Sequence, residues 1–104
     1  ETCVLHRGYV LPGKDGSLVW CPQVAVATSA GVLCVDNLLM VSSRGQSVTV
    51  AVEVDGAEFH GDPQQQRARD RALGIPVLHV DAGELDKPGL VTRILQWAWD
   101  QPAA

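Results

Sequence analysis

The residues of this chain that could do chemistry together lie at the end of one strand-like run, Val48–Asp55. Side chains alternate between the two faces of a strand, so the valines of this run share one face while Glu53 and Asp55 share the other. Two carboxylates held side by side on a stiff strand repel each other unless a positive charge lies between them. Hard divalent cations prefer oxygen ligands, so this pair predicts a metal site.

A third acid joins the pair through the register of a predicted hairpin. The run Val32–Val41 is also strand-like, and a short loop that contains glycine joins it to the valine-rich strand, as is typical of a β-hairpin. A turn centred on Arg44-Gly45 places Asp36 directly across from Glu53, with Cβ atoms about 5 Å apart. An unpaired acid in such an apolar run is costly. We therefore expect Asp36, Glu53 and Asp55 to converge on one face.

Length and composition bound the class of protein. The 104 residues suffice for one domain with a modest core, and 46% hydrophobic with 19% charged residues is ordinary for a globular chain. No apolar run reaches the length of a membrane helix, and no signal-peptide pattern is present, so no membrane partner is expected. The net charge of −4 argues against strong non-specific binding of nucleic acid by this chain alone. Because the chain begins with Glu1, we expect a fragment of a longer protein whose other domains are partners.

The cysteines carry little functional signal. Cys3, Cys21 and Cys34 are odd in number and widely spaced, which disfavours a disulfide framework. Together with His6 they could make a zinc site only at a spacing that matches no compact zinc pattern. Free thiols in a reducing compartment are the simpler interpretation, so a cytoplasmic location is expected.

The elements that must position the acids follow from the apolar periods and from the glycines and prolines between them. The predicted strands are Thr2–His6, Tyr9–Leu11, Ser17–Trp20, Gln23–Thr28, Val32–Val41, Val48–Asp55 and Ile75–Val80. A helix is predicted over Pro63–Leu73, with Asp62 as N-cap, Gly74 as C-cap and Ala68 on its apolar side together with Ala72 and Leu73.

A second helix is predicted near the C-terminus, capped by Asp86 and ended by Pro102. Its apolar stripe consists of Leu90, Val91, Ile94, Leu95 and Ala98, and Trp97 and Trp99 widen it. The overall prediction is an α+β domain over residues 1–104 with its core at about 23–100. It consists of a β-meander, a right-handed β-α-β crossover and a C-terminal helix.

The ordered set of these residues resembles the Vsr-like branch of the PD-(D/E)XK nuclease superfamily. The matching pieces are Asp36 in one strand, Glu53–Gly56 (E-x-D-G) ending the next, His60 shortly after, and the run Arg69–Leu78 (RDRALGIPVL). Gln23-Val24 resembles the start of the first core strand of that family. The resemblance covers about residues 23–95 and implies a restriction-endonuclease-like mixed sheet.

The same pattern also resembles the RAP domain, a related fold of organellar RNA-processing proteins. Three departures from the nuclease pattern stand out in this sequence. Asp55 occupies the place of the signature lysine of the superfamily, although this branch often has an acid there. The usual N-terminal helix is not evident, and Gln66 stands where an acidic residue is common. The alternative to an active nuclease is therefore an inactive module that binds RNA or a protein partner.

The nuclease resemblance implies a role for each residue of the site. Asp36 and Glu53 would bind Mg²⁺ or Mn²⁺, and Asp55 would be a further ligand or would orient the attacking water. His60 would act as general base or acid. The contacts to nucleic acid, with DNA favoured over RNA, are assigned to Arg67, Arg69 and Gln66.

Each of these assignments has a structural alternative. Glu53 and Asp55 would simply meet solvent at the end of a strand, and Asp36 would pair with an arginine of the helix. His60 would be a solvated loop residue, and the arginines would form a solvent-facing helix surface. His79, flanked by apolar neighbours, is predicted to be a satisfied strand residue without a functional role.

Overall fold

The computed structural model describes residues 9–12 (backbone only), 16–56 and 62–102. This part of the chain forms a mixed five-stranded sheet, in the order β1-β2-β3-β4-β5, together with two helices, so the α+β class is confirmed. The elements are β1 (Tyr9–Pro12), β2 (Gly16–Thr28), β3 (Gly31–Ser43), β4 (Gln46–Asp55), α1 (Pro63–Leu73), β5 (Val77–Asp81) and α2 (Leu90–Trp99), with a 3-10 turn at Ala82–Glu84. Two predicted features, the strand Thr2–His6 and the site residue His60, lie outside the described residues.

The hairpin of β3 and β4 has the predicted register. Val41 pairs with Val48, and the pairing continues to Asn37 and Val52. The turn contains only Arg44-Gly45, and both residues have positive φ, 51° and 79°. Positive φ at both central residues defines the type I′ turn, whose twist matches that of the flanking strands. The loop is thus shorter than the predicted six residues, but it is symmetric and preserves the register.

Strand β2 is one continuous strand where the sequence predicted two, Ser17–Trp20 and Gln23–Thr28. Pro22 lies inside it, beyond Trp20, where pairing with β1 begins. There the strand has a described partner on only one side, a setting in which proline is tolerated. The next residue, Gln23, has a φ of 54° and interrupts the pairing with β3.

The side chains of β3 stop alternating regularly between the two faces of the sheet opposite Gln23, where the pairing with β2 is interrupted. Val35 packs with Ala51 and Leu73 on the α1 side of the sheet. Leu39, four residues further along, packs with Val50 on the α2 side. Regular alternation would place Val35 and Leu39 on the same face, so the alternation is broken between them, around Asp36.

The sheet has a buried layer on each face. The predicted valine face of β4 is core: Val48, Val50 and Val52 are buried and pack with Val80 and Ala98. The α1 face is smaller and contains the polar residues of the candidate site. No helix of the described residues is long and apolar enough to cross a membrane.

Helix α1 begins and ends as predicted. The Asp62 carboxylate accepts a hydrogen bond from the amide of Gln64, and Gly74 adopts the left-handed conformation at the C-terminus, with φ of 70°. The prediction that Ala68 belongs to the buried side is wrong, since Ala68 is exposed. Beneath the middle of this helix the sheet carries Glu53 and His79, so polar side chains of α1 face it there instead.

Helix α2 begins later than predicted. Its N-cap is Gly89, with φ of 81°, and not Asp86. A left-handed residue at this position stops any helix from running through from Asp86, so α2 starts at Leu90. Its apolar stripe is also narrower than predicted, because Val91 is 67% exposed and Trp99 is 39% exposed.

Candidate functional site

The candidate site lies at the carboxyl end of β4, on the face covered by α1. Strands β4 and β5 are parallel, and their register places Glu53 beside His79 and Asp55 beside Asp81. The carboxyl ends of parallel strands meet at one edge of a sheet, which is where ligands bind in many α/β folds. Helix α1, which connects these two strands, covers this edge and contributes the side chains of Gln66, Arg69 and Asp70.

Asp36 and Glu53 meet where the main-chain pairing of β3 and β4 stops. Asp36 Oδ2 accepts a hydrogen bond from the amide of Val54 at 2.9 Å, and Glu53 Oε2 accepts one from the amide of Asp36 at 3.4 Å. Each carboxylate therefore bonds a main-chain amide of the opposite strand. We call these two residues the acidic pair; the hairpin register predicted their proximity.

Arg69 of α1 provides a positive charge at the acidic pair. Its Nη1 lies 3.1 Å from Glu53 Oε1, and its Nη2 donates to the carbonyl oxygen of Cys34. Glu53 is only 6% exposed, and a buried carboxylate is costly unless it is paired and hydrogen-bonded. An ion pair between a helix arginine and the site was the alternative weighed from the sequence, but it forms on Glu53 and not on Asp36.

The pKa of Glu53 is raised above its ordinary value. Burial is the main cause, and the hydrogen bond with the Asp36 side chain adds to it. Arg69 and the Asp36 amide act in the opposite direction but do not cancel the rise. Glu53 therefore holds a proton more tightly than a solvated glutamate, which means that its negative charge is incompletely compensated at this position.

A second group of polar side chains surrounds His79. His79 Nε2 lies 2.8 Å from Asp70 Oδ2, and His79 Nδ1 lies 3.4 Å from Asp55 Oδ2. Gln66 Nε2 lies 2.9 Å from the same Nδ1 atom. We call these four residues the His79 cluster. It joins α1 to the ends of β4 and β5, immediately beside the acidic pair.

The charge state of His79 reflects two opposed effects. Burial lowers the pKa of His79, but the hydrogen bond and charge of Asp70, followed by the charge and hydrogen bond of Asp55, outweigh it. The pKa of His79 is therefore raised. Among the described residues, Asp70 Oδ1 is buried without a hydrogen-bond partner. His79 thus donates to only one of the two carboxylate oxygens of Asp70.

The sequence interpretation missed the role of His79. His79 is indeed satisfied, as predicted, but by the carboxylates of Asp70 in α1 and of Asp55 at the end of the neighbouring strand β4. The parallel register of β4 and β5 sets His79 beside Glu53. The crossover β-α-β unit was predicted, yet its register cannot be counted from the sequence as a hairpin register can.

The residues assigned to nucleic-acid binding divide into two groups. Arg69 and Gln66 direct their side chains at Glu53 and His79, within the chain itself. Arg67 is exposed on the same helix. Binding of nucleic acid by these three residues stays a prediction.

The acidic pair offers the type of donor that a hard cation takes. Mg²⁺ is commonly held by one or two carboxylates plus waters and substrate oxygens, and Asp36 and Glu53 supply two carboxylates at the same end of the β3–β4 hairpin. The described residues contain no group of three or more His, Cys, Asp or Glu side chains placed to hold a metal ion. The raised pKa of Glu53 indicates a site where added positive charge is favourable. The chemistry of the pair therefore fits a divalent metal.

A scan against protein-family models, a search of curated proteins and a search of solved structures find no match to this chain.

Proposed function

We propose that this chain is a metal-dependent nuclease domain of the PD-(D/E)XK type, of the Vsr-like branch, that hydrolyses phosphodiester bonds in DNA in preference to RNA. A restriction-endonuclease-like sheet is part of the proposal. The supporting fold features are the antiparallel meander, the helical crossover and the parallel fifth strand. A cytoplasmic setting and further domains of a longer protein complete it.

The observation that carries the proposal is the acidic pair. Where β3 and β4 stop pairing, the carboxylates of Asp36 and Glu53 each accept a hydrogen bond from a main-chain amide of the opposite strand. Glu53 is buried, and its pKa is raised. Two neighbouring acids repel each other, and a bound cation would compensate both charges.

Within this proposal Asp36 and Glu53 would hold Mg²⁺ or Mn²⁺, which would polarise the scissile phosphate and lower the pKa of a bound water. Asp55, on the same face of β4 as Glu53, would orient that water. Arg69 can bind a phosphate through two of its donors, and exposed Arg67 can contact the backbone of the substrate. His60 would take part in proton transfer.

A second candidate is a non-catalytic module of the RAP type that binds RNA or a protein partner, in an organelle if the likeness to organellar proteins holds. The specific observation in its favour is that the acidic pair already has structural partners. Glu53 is paired with Arg69, and both carboxylates accept hydrogen bonds from main-chain amides. The absence of the signature lysine and the net charge of −4 point the same way.

Calorimetric titration with Mn²⁺ tests the first candidate. The variants are Asp36→Asn and Glu53→Gln, which keep an oxygen acceptor for the main-chain amides, and exposed Asp86→Asn serves as control. Loss of an outer-shell partner costs about 10- to 100-fold in metal affinity, so loss of a ligand should weaken binding at least about tenfold, while the control should bind like the parent. Cleavage of DNA and RNA strands with Mn²⁺ then assigns the substrate.

If the parent chain does not bind Mn²⁺, even with an oligonucleotide present to complete the coordination shell, the nuclease proposal is rejected. Binding of RNA without cleavage would then support the second candidate. Binding of Mn²⁺ that persists in both Asp36→Asn and Glu53→Gln would place the metal elsewhere and would also reject the proposed site.

A further inference from the structure

Both ring nitrogens of His79 have a hydrogen-bonding partner on the same face of α1. Nε2 lies 2.8 Å from Asp70 Oδ2, and Nδ1 lies 2.9 Å from Gln66 Nε2. Gln66 and Asp70 are four residues apart, so their side chains project from one face of the helix. A single strand residue thus contacts α1 at two points, one turn apart.

These contacts determine which ring nitrogen of His79 carries the proton when the ring is neutral. An ionised carboxylate only accepts hydrogen bonds, so the Nε2 atom that faces Asp70 carries the proton. In the neutral ring Nδ1 is then an acceptor and receives the amide hydrogen of Gln66. If the ring is protonated, Nδ1 donates to the amide oxygen of a turned Gln66 or to Asp55, which lies 3.4 Å away. Contact with α1 through Asp70 persists in both states.

Arg69 lies on α1 between the two residues that contact His79. Its guanidinium reaches Glu53, which is the β4 neighbour of His79 in the parallel register. Rotation of α1 about its axis by one residue, about 100°, would carry Arg69 away from this strand. The orientation of the helix at this turn therefore decides whether Arg69 faces Glu53.

We propose that His79 is a positioning residue, which seats α1 through Gln66 and Asp70 so that Arg69 is held on Glu53. Its consequence for metal binding rests on the proposed function, because Arg69 and a metal ion compete for the same carboxylate. The positioning itself concerns the metal-free chain and does not depend on that function.

The test is NMR spectroscopy of the ¹⁵N-labelled, metal-free chain. A guanidinium held by two acceptors rotates slowly about its Cζ–Nη bonds and gives separate Nη–H signals at low temperature, whereas a free guanidinium gives an averaged one. His79→Phe keeps an aromatic ring but removes both hydrogen bonds. His79→Gln can still reach Asp70, and so should restore the interaction in part. Val80→Ala is the matched control, since it destabilises the same strand from its opposite, α2-facing side.

We expect separate Arg69 signals in the parent and in Val80→Ala, an averaged signal in His79→Phe, and an intermediate result in His79→Gln. Separate signals that persist in His79→Phe would overturn the proposal. So would their loss in Val80→Ala, because Arg69 would then respond to stability alone. If His79→Phe does not fold, Gln66→Ala removes one of the two contacts from a partly exposed position, and unchanged Arg69 signals there would also overturn it.

A Mn²⁺ titration of the same variants separates this proposal from the proposed function. If both hold, His79→Phe releases Arg69 from Glu53, and Mn²⁺ binds more tightly than to the parent. If the parent binds no Mn²⁺, the nuclease proposal fails while the NMR result still decides the role of His79. Mn²⁺ affinity that is unchanged in His79→Phe, although Arg69 is released, would show that Glu53 is not a ligand.

Discussion

Arg69 of α1 lies 3.1 Å from Glu53 of β4, and this ion pair connects the crossover helix to the acidic end of the strand. Glu53 is the only buried charged residue in the described part of the chain. The pair therefore does two things at once. It compensates a buried charge, and it occupies a carboxylate that the proposed chemistry requires.

Replacement of Arg69 by glutamine should destabilise the fold. Glu53 would be left buried with its charge uncompensated, and loss of one partner of a buried polar contact costs about 1–3 kcal/mol. Urea unfolding at neutral pH measures the change. Arg67→Gln is the matched control, since Arg67 is exposed on the same helix and its replacement should change stability by less than about 0.5 kcal/mol. Equal losses in the two variants would show that helix propensity or net charge, and not the ion pair, is responsible.

Two replacements of Asp36 separate its structural role from its proposed role in metal binding. Asp36→Asn retains an oxygen that can accept from the Val54 amide, whereas Asp36→Ala leaves that amide unbonded. We expect the alanine variant to lose about 1–3 kcal/mol in the free energy of unfolding and the asparagine variant to lose less. Mn²⁺ binding should be weakened in both. A variant pair that differs in metal affinity but not in stability would contradict this assignment.

The stability of the metal-free chain should depend on the ionisation of His79. Because the pKa of His79 is raised above the ordinary 6.5, the folded chain binds the proton more tightly than the unfolded chain does. The resulting stabilisation is fully present below pH 6.5 and is lost as the pH rises through the higher pKa of the folded state. The difference in unfolding free energy between the parent and His79→Gln should therefore shrink as the pH is raised from 6 towards 9.

An NMR titration of His79 in the variant Asp70→Asn identifies the source of that effect. Asp70 supplies the larger favourable interaction with protonated His79, and Asp55 the smaller one. We expect the NMR-measured pKa of His79 to fall in Asp70→Asn, and to fall by less in Asp55→Asn. A pKa that does not move in either variant would mean that the two carboxylates do not govern the ring.

Gly16 should tolerate no side chain. A Cβ atom at this position would lie 1.9 Å from the carbonyl oxygen of Ser42 on the neighbouring strand. Since that neighbour is main chain, relief requires the strands to move apart, and forced overpacking of this kind typically costs about 1–3 kcal/mol. Thermal unfolding of Gly16→Ala measures the loss. Gly83→Ala is the control, because a Cβ there meets no atom within 4 Å, and it should leave the melting temperature nearly unchanged.

The parts of the fold that could be predicted are those set by local sequence. The Arg44-Gly45 turn fixes the pairing of β3 with β4 by counting, and Asp62 and Gly74 fix the ends of α1. What could not be predicted depends on contacts between distant segments. The break in the alternation of side chains around Asp36 lies opposite Gln23 of β2, and the apolar pattern of β3 itself does not predict it.

The candidate site divides in the same way. Asp36 and Glu53 lie within one hairpin, so their contact could be predicted from their spacing. The partners of His79 and of Arg69 come from the helical crossover, whose rotation over the sheet has no counterpart in the sequence pattern. The sequence therefore predicts His79 as a satisfied strand residue and Arg69 as a contact to nucleic acid, and neither prediction contains the partners that α1 brings to them.

The two-residue turn between β3 and β4 also bears on the order in which the chain folds. The turn brings Asp36 and Glu53 together over a separation of 17 residues, and a hairpin of this kind closes within microseconds. Arg69 arrives only when the crossover helix docks, which requires β5 to add to the sheet in parallel and is intrinsically slower. For that interval the nascent hairpin brings its two acids together without the arginine. Arg69 therefore stabilises the acidic end of the hairpin only once the crossover helix has docked.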